Sequence, residues 1–176
     1  MTYFEDLSRY TYHEATGIAV PAKNVGWLDR HHSFAKEEPS SELLDAVWKH
    51  CFILVVPTRG LHTCEFCTIP SSTFVRHGSK LLLGSGEIRV FNSSGDAFAA
   101  PNLIYHYISD HWYRPPREFV QAIEEGPRPG NQEYQQRFDR PGLDWRENPQ
   151  LSEEPKQMQF ARTENGVEVK NGKVRN

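Results

Sequence analysis

The stretch Arg59-Gly60-Leu61-His62-Thr63-Cys64-Glu65-Phe66-Cys67 holds two of the chain's three cysteines in C-x-x-C spacing, with a histidine two residues upstream. That spacing lets two thiolates reach one ion from a single tight turn, and zinc is the usual guest. Two thiolates fill half of a tetrahedral site, so the other ligands must come from elsewhere; His62, His106 and His111 are the best donors. A redox C-x-x-C normally opens a helix, whereas Pro70 and Ser71-Ser72-Thr73 follow here, which is poor helix sequence. Two unligated cysteines in a partly buried loop are the remaining alternative.

The elements that would position these residues can be read in part. Pro39-Ser40-Ser41-Glu42 reads as a helix start with a serine N-cap and an acidic residue in the first turn, and Leu43, Leu44, Val47, Trp48 and Cys51 follow as an apolar stripe. Phe52 to Val56 reads as a buried strand ended by Pro57, so the cysteine loop hangs off the end of a core strand. Lys80–Leu83 and Glu87–Phe91 read as a hairpin around Gly84-Ser85-Gly86, with Ala97-Phe98-Ala99 as a third strand of the meander. That glycine pair is no phosphate loop, since no lysine follows in the required spacing.

Pro101 suits the first position of a helix running to about Trp112. On such a helix His111 shares the apolar stripe of Leu103, Ile104, Tyr107 and Ile108, and His106 sits roughly 140° away at 100° per residue. Both histidines can meet one ion only if the helix end is distorted. A further helix runs from Arg117 to Glu125 and stops at Gly126. Towards the N-terminus, Thr16–Val20 reads as a short strand, the aromatics Tyr3, Phe4, Tyr10, Tyr12, Trp27 and Phe34 as packing residues, and His31 and His32 as surface residues.

The expected architecture is therefore α+β: one domain over residues 1–126 with a small antiparallel sheet and about three helices. Residues 127–176 form an extended or partly disordered tail rich in Gly, Pro and polar residues, with a terminal hairpin signal at Asn171-Gly172. A net charge of −3 and no cluster of Lys and Arg argue against nucleic acid as a partner. No apolar run approaches a membrane span, and Met1–Asp6 lacks the regions of a signal peptide. An odd, small number of cysteines fits a reducing compartment, and the expected location is cytoplasmic.

The motifs Tyr3-Phe4-Glu5-Asp6-Leu7-Ser8-Arg9-Tyr10, Asn24-Val25-Gly26-Trp27-Leu28, the His62–Cys67 loop, Ala100–Ile108 and Tyr113–Phe119 together resemble a family of small uncharacterised bacterial proteins. In that family the first motif usually carries Pro where this chain has Arg9. The resemblance covers residues 3 to about 123. It pairs the His-x-Cys-Glu-x-Cys loop with the Tyr-His-Tyr-Ile-x-x-His helix, which implies His106 and His111 as partners of Cys64 and Cys67. The expected ligand set is Cys64, Cys67 and His106 with His62, and His111 competes with His62 for the fourth place.

The functional expectation is a non-catalytic, zinc-binding protein that acts by binding another protein, in the manner of an immunity protein or antitoxin whose acidic face meets a basic toxin. The alternative is a zinc hydrolase with three protein ligands and a bound water, Glu65 as base and His111 or His62 as proton shuttle. Neither the zinc deaminase signature nor H-E-x-x-H is present.

Overall fold

A computed structural model describes residues 2–12, 21–58, 60–139, 143 and 145–151, together with the backbone of 159–163 and 166–170. Its frame is a five-stranded sheet of β1 (Ala22–Asn24), β2 (Ile53–Val55), β5 (Glu87–Phe91), β6 (Ala97–Pro101) and β7 (Trp145–Glu147), in the order β1-β6-β5-β2-β7. Its pairs are antiparallel except β1 with β6, which is parallel. The fold is thus α+β with a modest sheet, and that one parallel edge departs from the all-antiparallel expectation.

Alternation along the strands sends side chains to two cores. Ile88, Val90, Phe98 and Ala100 face a core shared with α1 (Ser41–His50), α2 (Ile104–His111) and α3 (Arg117–Glu125). Phe91, Ala97, Ala99, Ile53 and Val55 face the other, which Tyr10 and Trp27 complete. Phe4 packs edge-on and Tyr12 tilted against Trp27 at ring distances of 5.6 and 5.4 Å, so these early aromatics are packing residues. The second core also takes Tyr134 and Phe138 from α4 (Gln132–Asp139). Both faces being covered, every residue of β5 and β6 is buried.

α1 forms as its sequence dictates: the Ser40 hydroxyl accepts the Leu43 N–H at 3.1 Å, and Val47 and Trp48 are buried. α3 starts after Pro116 as expected. Two expectations are corrected. Gly84-Ser85-Gly86 does not close a hairpin; β4 (Ser79–Leu82) pairs with β3 (Thr73–Arg76), and β5 leaves for the main sheet. The hairpin turns instead at His77 (φ 47°) and Gly78 (φ 75°), both left-handed, as a two-residue turn of this kind requires. Pro101 ends β6 rather than opening α2, which starts at Ile104.

Past Gly126 the chain adds α4 and β7 to the domain, two elements absent from the reading of a tail. Further on, β8 (Gln159–Thr163) pairs with β9 (Gly166–Lys170), so the hairpin precedes the Asn-Gly pair. Thr16–Val20 and Asn171-Gly172 lie outside the described residues.

Candidate metal centre

The cysteine loop leaves the sheet at Val55 and is stitched to the linker between β4 and β5. The Thr58 N–H donates to the Ser85 carbonyl at 2.9 Å, and the His62 N–H to the Gly84 carbonyl at 2.8 Å. Gly84 sits at φ 89°, and a Cβ there would lie 2.1 Å from the His62 carbonyl oxygen, so the close approach needs glycine. The Gly84 N–H in turn donates to the Asn102 side-chain oxygen at 2.6 Å. Asn102, fully buried just before α2, thereby ties the loop to the helix that carries the histidines.

Cys64 is 3% exposed, Cys67 is half-buried, and the Phe66 N–H donates to Cys64 Sγ at 3.3 Å. His106 is 3% exposed, and its Nε2 lies 3.2 Å from Cys67 Sγ. The Nε2 of His111 lies 3.2 Å from Cys64 Sγ, 3.4 Å from Cys67 Sγ and 3.1 Å from His106 Nε2. All four donor atoms fall within 4.8 Å of one another.

The end of α2 explains how two histidines five residues apart converge. Trp112, in the left-handed region, donates its N–H to the Tyr107 carbonyl five residues back, and Tyr113 donates to the same carbonyl at 2.9 Å. A bond spanning five residues widens the last turn beyond α-helical pitch, which swings His111 round towards the side of His106. This is the distortion that a regular helical wheel requires.

Phe66 packs on His111 at 5.3 Å between rings, and Phe74 of β3 on His106 at 4.9 Å. Asp110 Oδ2 lies 2.8 Å from His106 Nδ1, off the line of a well-formed hydrogen bond. A carboxylate there favours a proton on Nδ1 and leaves the Nε2 lone pair facing the cysteines. Burial lowers the pKa of His106 against the pull of Asp110, and burial with the charge of His106 lowers that of His111. Neutral imidazoles are the form that ligates metal. Burial pushes the Cys64 thiol up to about 11, opposed by the N–H groups of Phe66 and Cys67; a bound cation would reverse that balance.

Two S–H groups could each serve one imidazole nitrogen, but they do not relieve the two nitrogens of one another. The cysteines bring at most two S–H protons, and two imidazole nitrogens at 3.1 Å repel unless a proton or an ion lies between them. Metal–sulfur bonds of about 2.3 Å and metal–nitrogen bonds of about 2.0 Å give tetrahedron edges of roughly 3.3–3.8 Å. The observed contacts of 3.1–3.4 Å are close to that range. The residues therefore fit a metal ion held by two sulfurs and two nitrogens.

The structure brings together Cys64, Cys67, His106 and His111. Of the two competitors for the fourth place, His62 is exposed and stands outside the group, its backbone being the clamp on Gly84, while the wide turn of α2 delivers His111. Glu65 is drawn away to Arg30, whose backbone N–H and Nε lie 3.4 and 3.5 Å from Oε2. Asn102 and Asp110 escaped sequence reading. The i,i+4 spacing of His106 and Asp110 was the available signal for the second.

No curated protein and no solved structure matches the chain. Residues 2–124 match the family described as "Domain of unknown function (DUF7919)". That span holds all four candidate ligands and most of the chain, and the chain belongs to this family.

Proposed function

We propose that this member of the family is a non-catalytic zinc-binding domain that acts by binding another protein. Cys64, Cys67, His106 and His111 would hold one zinc, and the ion would be structural. The observation that supports this most is the completeness of the donor set: four protein atoms converge, so no position is left for substrate or water. Two sulfurs with two imidazoles suit zinc among the common metals. When bound, zinc would cross-link the cysteine loop to α2 and neutralise the thiolates. The position of Glu65 beside Arg30 speaks against its serving as the base of the hydrolase alternative.

The net charge of −3 favours a basic protein as partner, as an immunity protein or antitoxin would meet. Two thiolates persist best in a reducing compartment, which suits the cytoplasm. Among the described residues no helix is long and apolar enough to cross a membrane.

Elemental analysis of protein purified without a metal-affinity tag tests this. One zinc per chain is expected, lost in Cys64→Ser, Cys67→Ser, His106→Ala and His111→Ala and kept in His62→Ala. Cobalt substitution should give the absorption of a four-coordinate thiolate site. Full zinc retention in His111→Ala would mean a three-ligand site and would return the enzyme reading.

A further inference from the structure

The end of α2 also builds a wall. Directly after His111, Trp112 to Arg114 run antiparallel to Ala35–Glu37: Lys36 bridges Tyr113, the Glu37 N–H donates to the Trp112 carbonyl and the Arg114 N–H to the Ala35 carbonyl, each at 2.9 Å. Beyond this wall, between the starts of α1 and α3, lies a groove of about 660 Å³, large enough for several side chains. Its floor is apolar: Tyr113 and Pro115 are buried, and Leu43, Pro116 and Val120 are half-buried.

The rim is acidic. Asp6, Glu37, Glu38 and Glu124 line the groove against only Arg114 and Arg117. Asp6 is tied to the floor by the Tyr113 hydroxyl at 2.8 Å and the Gly26 N–H at 2.9 Å, and Arg114 stands 3.9 Å from Glu37. Glu38 and Glu124 are exposed and make no ion pair among the described residues.

We propose that this groove docks an extended segment of another protein that carries a large apolar side chain flanked by Lys or Arg. The apolar floor takes the anchor, and Glu38 and Glu124 take the cations. The inference rests on the reading of the chain as a protein-binding domain.

The test is selection from a random-peptide phage library on the zinc-loaded full chain, followed by binding of the selected peptides to Glu38→Lys/Glu124→Lys. Both residues are exposed, and circular dichroism verifies that the variant folds. The expected result is enrichment of peptides with Lys or Arg beside a large apolar residue, and a loss of about tenfold or more in affinity for the variant. No enrichment, enrichment of acidic or uncharged peptides, or equal binding to the variant would overturn the proposal. A Cys64→Ser protein that melts like wild type would sink the structural zinc and leave the peptide result standing, so the two failures are distinguishable.

Discussion

The domain buries polar side chains in two places, and they solve the problem of burial differently. On one face of the sheet Glu87 and Arg89 form an ion pair, each almost fully buried. Glu87 accepts the Tyr10 hydroxyl at 2.7 and 2.9 Å, and the Arg89 guanidinium lies 4.6 Å from the Tyr10 ring centroid. Charge is balanced there by the chain itself. At the other place, Cys64, Cys67, His106 and His111 are all donors of electron pairs, and nothing among the described residues supplies the positive charge they converge on. Buried groups that complete one another are architecture, whereas buried groups that share one deficiency ask for a guest.

The largest effect that tests this contrast is metal removal. Stripping metal with a chelator should lower unfolding free energy by several kcal/mol in urea titrations, and Cys64→Ser or Cys67→Ser should do the same without chelator. A cysteine variant with the urea midpoint of metal-loaded wild type would erase the distinction. Next comes Arg89→Met, which leaves the Glu87 carboxylate buried without its cation and should cost about 3–5 kcal/mol. That loss should be the same size with and without metal; dependence on metal would show that the two places are coupled.

His50 sharpens the comparison as a buried base of neither kind. Its Nδ1 donates to the Ala46 carbonyl at 2.9 Å, its Nε2 has no acceptor among the described residues, and burial lowers its pKa to about 4. The folded protein therefore binds fewer protons than the unfolded chain between about pH 6.5 and 4. Stability should be full above that window and fall by about 3 kcal/mol as pH drops through it. His50→Gln should flatten this part of the curve, measured with metal-free protein so that metal release contributes nothing. The smallest effect belongs to Asp110→Asn, half exposed beside His106. It should weaken zinc by roughly tenfold in competition with a chromophoric chelator while the fold is unchanged; an unaltered affinity would remove Asp110 from the site.

The site was legible in proportion to how local its signals are. The two cysteines announce themselves through a three-residue spacing. His106 and His111 look incompatible on a regular wheel, because the widened turn that reconciles them depends on where Trp112 and Tyr113 find their hydrogen bonds. His62 read as a ligand because proximity in sequence is easy to see, whereas its pairing with Gly84 spans more than twenty residues. Among the elements, α1 carries its cap and its stripe in one window. α4 shows only Tyr134 and Phe138 as apolar anchors in eight residues, and β7 shows only Trp145 in three. Gly84-Ser85-Gly86 misled because glycine serves close backbone contact as well as tight turns.

The N-terminal segment is held by side-chain clamps of its own. Asp6 accepts the Gly26 N–H and the Tyr113 hydroxyl, Asn24 donates to Ser8 Oγ at 3.0 Å, and the Trp27 Nε1–H donates to the Ala99 carbonyl at 3.0 Å. These contacts hold the N-terminal segment against β6 and the end of α2.

Cys67 and His106 are 39 residues apart, and β3, β4, β5 and β6 all lie between them. A metal joining those two residues would close a ring of chain that holds two of the five strands of the main sheet and the β3–β4 hairpin. Drawing the two ends of that ring apart would then require release of the ion. In hydrogen exchange, the slowest backbone amides from β3 to β6 should be better protected with metal bound than after its removal.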